Sequence, residues 1–235
     1  MKARSTCLVL ALAASLACST ASWSQGTGAR PSWQQEFDIS SCTLATTGRS
    51  RYFVLEPGFQ LVLEGGNTRM QITVLDETRQ VAGVATRVVE EREWKGGQLY
   101  EVSRNYFALC RQTGDVFYFG EDVDFYQNGR VVKHDGSWLA GTGGNRAGLA
   151  MPGTPRVGAR YYQEVAPGVA MDRAEIVSLD ETCQTPAGTF PNCMKVAEDS
   201  PLEPGATGYK YHAPDIGLVR DEDLRLTRYG FAGGR

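Results

Sequence analysis

The chain is predicted to be all-β: one large antiparallel, strongly curved sheet, a half-barrel or open barrel, with few short helices. Three observations predict this. Short runs such as Phe59-Gln60-Leu61-Val62-Leu63 and Met70-Gln71-Ile72-Thr73-Val74 place apolar residues at every second position, the period of a half-buried strand. Turn signals recur about every ten residues, the spacing of an antiparallel meander. No long stretch keeps the 3.6-residue period of an amphipathic helix.

The elements follow in order. Residues 25–33 contain Gly, Pro and Ser and read as a lead-in, and residues 30–38 are the one candidate for a short helix. The first clear alternation, residues 59–64, ends at Gly65-Gly66-Asn67, and the next ends at Asp76-Glu77-Thr78. Residues 81–92 form a longer strand that becomes charged at Glu90-Glu91-Arg92-Glu93, before the hairpin turn Lys95-Gly96-Gly97. An aromatic meander follows, 99–109, 116–119 and 123–126, punctuated by Gln112-Thr113-Gly114-Asp115 and Gln127-Asn128-Gly129. Residues 136–158 break the pattern with many Gly and Pro, and 140–155 is expected to act as a lid over a concave face. Strands resume over 160–165, 174–179, 190–196, 208–212 and 218–227. A sheet of ten or so strands must curl, split or close.

The first 24 residues carry the grammar of a secretory signal peptide: Lys2 and Arg4, an apolar run from residue 7 to 17, then Ser19, Ala21, Ser22 and Ser24. The expected organisation is a signal peptide over 1–24, a lead-in over 25–50 and one antiparallel β domain over 51–235. The location is secreted or periplasmic. Ser15-Leu16-Ala17-Cys18 approaches a lipobox, but Ser15 stands where a branched apolar residue is usual, so cleavage after Ala21 or Ser24 is favoured over an anchor on Cys18. No second apolar stretch has spanning length, so no transmembrane helix is expected. The chain holds 24 Lys and Arg against 27 Asp and Glu. Without Lys2 and Arg4 the balance is about −5, which gives no attraction for nucleic acid.

Four cysteines remain beyond the signal region, Cys42, Cys110, Cys183 and Cys193, and an oxidising compartment favours pairing them. A hairpin centred on Gly188 would set Cys183 opposite Cys193, leaving Cys42 for Cys110.

No catalytic motif stands out, and no cofactor is expected. With only His134 and His212 present, a multi-histidine metal site is excluded. Glu121, Asp122 and Asp124 are candidate hard-cation ligands, although Tyr126 occupies the position of a third oxygen donor in the usual calcium loop. Lys133-His134-Asp135-Gly136-Ser137 brings a histidine, a carboxylate and a hydroxyl together without the elbow of a nucleophilic serine. The aromatics Tyr106, Phe117, Phe119, Trp138 and Tyr161 are candidate ligand-lining residues, with Phe117 and Phe119 on one sheet face and Tyr118 on the other.

Several segments together resemble a family of uncharacterised secreted bacterial proteins. They are Tyr52-Phe53-Val54-Leu55-Glu56-Pro57-Gly58, Gly114-Asp115-Val116-Phe117-Tyr118-Phe119-Gly120-Glu121-Asp122, Gly136-Ser137-Trp138, Thr185-Pro186-Ala187-Gly188-Thr189-Phe190, Leu202-Glu203-Pro204-Gly205 and residues 211–219. The resemblance spans about residues 52–226 and carries no assigned activity or functional residue. More distantly, the 186–190 hairpin and the 211–219 strand are similar to domains of unknown function with the half-barrel fold of periplasmic lipoprotein carriers. That similarity implies an envelope location and favours binding over catalysis. The expected function is therefore a binding protein that holds an apolar small molecule, a lipid or an envelope partner in the concave face. An envelope structural protein and a hydrolase using Glu121, Asp122 and His134 are the alternatives.

Overall fold

The computed structural model describes residues 31–233. The signal-peptide stretch, including Cys18, lies outside them. Residues 31 onward form one compact unit. The segment expected as a lead-in is part of it from Pro31. No helix forms at 31–38: Gln34 instead bridges to Tyr161, and a single 3₁₀ turn follows at Ile39–Ser41.

The strands are β1 (Leu44–Ala45), β2 (Gly48–Ser50), β3 (Phe53–Leu55), β4 (Phe59–Gly65), β5 (Thr68–Val81), β6 (Val84–Lys95), β7 (Gln98–Cys110), β8 (Val116–Gln127) and β9 (Arg130–Lys133). After them come β10 (Trp138–Leu139), β11 (Arg146–Met151), β12 (Arg160–Tyr162), β13 (Glu164–Val165), β14 (Arg173–Thr185), β15 (Gly188–Asp199), β16 (Gly208–Ala213), β17 (Gly217–Asp221) and β18 (Leu224–Phe231). Their antiparallel pairing runs β12-β14-β15-β16-β17-β18-β4-β5-β6-β7-β8-β11-β13. The two ends of this path are β12 and β13, and in the chain they are separated by Gln163 alone. One extended segment therefore pairs with both margins of the sheet. The sheet becomes a nearly closed, barrel-like wall, and two open edges are covered.

The 140–155 stretch is not a lid. Its core is β11, a wall strand that pairs with β8 on one side and β13 on the other. Its glycines serve the wall: Gly148 is needed for close approach. A Cβ there would overlap the Gln163 backbone carbonyl across the seam. Gly148→Ala should cost about 1–3 kcal/mol, as overpacking does, measured by urea unfolding.

Inside, the inward positions of most strands are apolar at one end of the barrel. Leu55, Leu63, Ile176 and Leu226 are fully buried, and each contributes on the order of 1.5–3 kcal/mol. Outside, the N-terminal segment packs on the wall, with Phe37 against Phe117 at 6.1 Å between ring centroids. Cys42 and Cys110 form a disulfide where β1 pairs with the end of β7.

The second expected bridge is not formed. The register sets Cys183 opposite Phe190 and Cys193 opposite Glu181 across a bulge, and the two are buried thiols whose side chains interact with each other. The hairpin turns at Pro186-Ala187 rather than symmetrically about Gly188. Cys42→Ser should lower stability by about 2–4 kcal/mol, and adding reductant should bring wild type to the same midpoint.

Candidate functional site

The inside of the sheet holds a part-open cavity of about 260 Å³. Its lining changes character along the barrel axis, and the change is written in the strands. Successive inward residues of β6 are Val89, Glu91 and Glu93, and those of β7 are Phe107, Asn105, Ser103 and Glu101. On β16 His212 is followed inward by Lys210, and on β15 Val196 is followed by Glu198. One end is thus apolar, with Tyr52, Phe59, Leu61, Ile72, Val74 and Leu218. The other is charged.

At the charged end Lys210 Nζ stands 2.8 Å from Glu198 Oε2, and Gln163 Nε2 donates to Glu198 Oε1 at 3.0 Å. Gln163 is the seam residue, so closure of the barrel also orients this ion pair. Asp221 lies directly across from Lys210 in the β16–β17 ladder. A recess shares Asp172, Glu198 and Lys210 with the cavity and extends past Ser200, Glu203 and Glu222. Tyr118 donates its hydroxyl to Asn105 Oδ1 and stacks on Phe107 with centroids 4.6 Å apart.

Burial governs the protonation of these groups. Removal from water raises the Glu91 carboxyl to about 7, partly offset by Lys210. It raises Glu121 to about 8, against the effect of the Tyr118 hydroxyl, and pushes Glu164 well up, with the Glu121 and Asp172 carboxyls adding to the effect. Glu101, Asp172 and Asp221 are raised for the same reason. Glu198 moves the other way despite its burial, because Lys210 and Gln163 hold its charge. Lys210 is raised, first by Glu198. His212 is lowered to about 4 by burial and is neutral at pH 7.

The candidate residues read from the sequence fall differently. Tyr106, Phe117, Phe119, Trp138 and Tyr161 are buried but do not line the cavity. The aromatics that do line it in the meander are their neighbours Phe107 and Tyr118. Alternation was correct and its phase was not: Ala108 and Phe117 are paired on the outward face, under Phe37. Tyr106 donates to Asp122 at 2.6 Å, beneath the Arg79 guanidinium. Trp138 meets the Tyr118 ring edge-on at 5.5 Å.

The proposed cation ligands do not converge. Glu121 stands against Tyr118, Asp122 is bonded to Arg79 and Tyr106, and Asp124 lies 2.7 Å from His134 Nδ1. Successive strand residues point to opposite faces, and among the described residues no cluster of three such side chains could hold a metal ion. The same divergence removes the hydrolase site built on Glu121, Asp122 and His134.

The chain matches no family model, no curated protein and no solved structure. The cavity therefore stands on its own geometry. The sequence offers Glu164 and Asp172 as paired carboxylates for acid–base chemistry if they face one cleft, and both do line this cavity, whereas Glu91, Glu198 and Lys210 carry no sequence motif because they are scattered over β6, β15 and β16. The one available signal was the Val89-to-Glu93 gradient, which reads equally well as an exposed strand end.

Raised carboxyls make stability fall with pH. Between about pH 4.5 and about pH 8 the folded state retains protons at Glu91 and Glu121 that the unfolded chain has released, so that stabilisation is complete below the window and lost through it. His212 opposes this only below its ordinary value near 6.5. Glu91→Gln should raise stability near pH 8 by about 1–3 kcal/mol and leave it nearly unchanged at pH 4.5. Urea midpoints at the two pH values check this.

Proposed function

We propose that the protein is a secreted or periplasmic, non-catalytic binding protein that holds a small ligand with an apolar body inside the barrel. The observation that carries the reading is the part-open cavity itself, about 260 Å³ and walled on one side by Phe59, Leu61, Ile72, Val74 and Leu218. Ligand sites characteristically combine such a concave apolar wall with a few convergent polar groups, and Gln163, Glu198 and Lys210 supply these here. The sequence resemblance to carrier-like half-barrels favours binding in the same way. The Cys42–Cys110 disulfide supports an oxidising compartment.

A neutral apolar dye, N-phenyl-naphthylamine, tests the reading by its fluorescence on transfer from water. Wild type should bind it, and Ile72→Trp, which fills the apolar end, should weaken binding at least about tenfold with the protein still folded by circular dichroism. Equal binding by both proteins, or none by wild type, would overturn the cavity as the site.

A further inference from the structure

The cavity is lined by more acidic side chains than basic ones, and this bears on what it accepts. Four carboxyl side chains line it, from Glu91, Glu164, Asp172 and Glu198. Lys210 is the only lysine or arginine among the lining residues, and Glu198 already holds it at 2.8 Å. The Glu91 carboxyl is half-buried and faces the cavity, and among the described residues none gives it a hydrogen bond or ion pair, Lys210 acting on it only through space. A carboxyl drawn partly out of water without a partner is costly unless something else meets it. His212 provides an independent sign of an incomplete site. Its ring lines the same cavity, and its Nδ1 is buried without a hydrogen-bond partner.

These groups are arranged around the space next to the apolar wall. In the β5–β6 ladder, Ile72 is the direct partner of Glu91. A molecule whose hydrocarbon part lies on Ile72, Leu61 and Leu218 would thus place its terminal group beside Glu91. The recess that continues from the charged end is itself acidic, with Asp172, Glu203, Asp221 and Glu222. Asp199, also at that recess, is bonded to Arg173. A field of this sign attracts cations and repels anions along the approach.

We infer that the ligand of this cavity is a cationic amphiphile, an aliphatic amine whose ammonium group is met by Glu91 while its hydrocarbon chain lies on the apolar wall. The inference rests on the cavity being a binding site. An ammonium has three donors and no acceptor, so it fits an acceptor-rich pocket. A carboxylate ligand would add a fifth acidic group with only a committed lysine to meet it. A neutral alcohol would leave the acidic surplus in place. Burial raises the Glu91 carboxyl to about 7, so an arriving cation would favour its ionised form and release a proton.

Octylamine, octanol and octanoate share one chain and differ in charge. Each would be titrated into the full mature protein at neutral pH, with binding followed by the methyl resonances of Ile72, Val74 and Leu218. Octylamine should bind at least about tenfold more tightly than octanol, and octanoate most weakly. Glu91→Gln should bring the octylamine-to-octanol ratio close to one. If octanol or octanoate binds as tightly as octylamine, the cationic assignment is overturned and the cavity reading survives. If the ratio is unchanged in Glu91→Gln, Glu91 is not the group that meets the amine. If none of the three moves these resonances, the binding site itself is lost, and the inference with it.

Discussion

Everything in this fold depends on how the sheet closes. The six residues from Arg160 to Val165 belong to both ends of the pairing path, β12 to one margin and β13 to the other. Backbone pairing on both sides converts an open sheet, with two exposed edges, into a wall around an interior. Gly148 is part of that constraint because no side chain fits where β11 meets Gln163. Gln163 then links closure to chemistry. Its amide bonds the carboxyl of Glu198, which in turn holds Lys210.

A closed wall imposes a volume that inward side chains must fill or leave empty. At the apolar end large residues do most of the filling. Toward the turns at Lys95-Gly96 and residues 200–207 the inward positions become carboxyls. Stability alone gives no reason for this choice, since apolar replacements of similar volume would avoid the desolvation of several ionisable groups. The acidic surplus weakens the fold as pH rises, and such groups concentrate at functional sites.

The two disulfide expectations separate local from non-local reasoning. Cys42 and Cys110 meet because β1 pairs with β7 at Leu44 and Cys110, a contact that pairing the remaining cysteines by elimination reached without knowing the topology. The hairpin brings Cys183 and Cys193 together as interacting thiols but not into direct register. Two bulges between Ser178 and Cys183 shift the register, and no residue in that stretch announces them. Period-two patterns specify a face only up to such shifts.

The same limit explains the aromatic residues. Alternation along 116–119 separated Tyr118 from Phe117 and Phe119, but alternation does not say which face is inside when both are apolar. The segment around Phe37 decides it by covering the outward face. The sequence by itself determined the all-β class, the antiparallel meander and its turns, because side-chain period and turn chemistry are local properties of the backbone. Only the tertiary structure decided that 146–151 is wall, that Phe107 and Tyr118 face inward, and that Glu91, Glu198, Lys210 and His212 share one cavity. Glu91 lies far along the chain from the other three, and strand order and closure alone bring it to them.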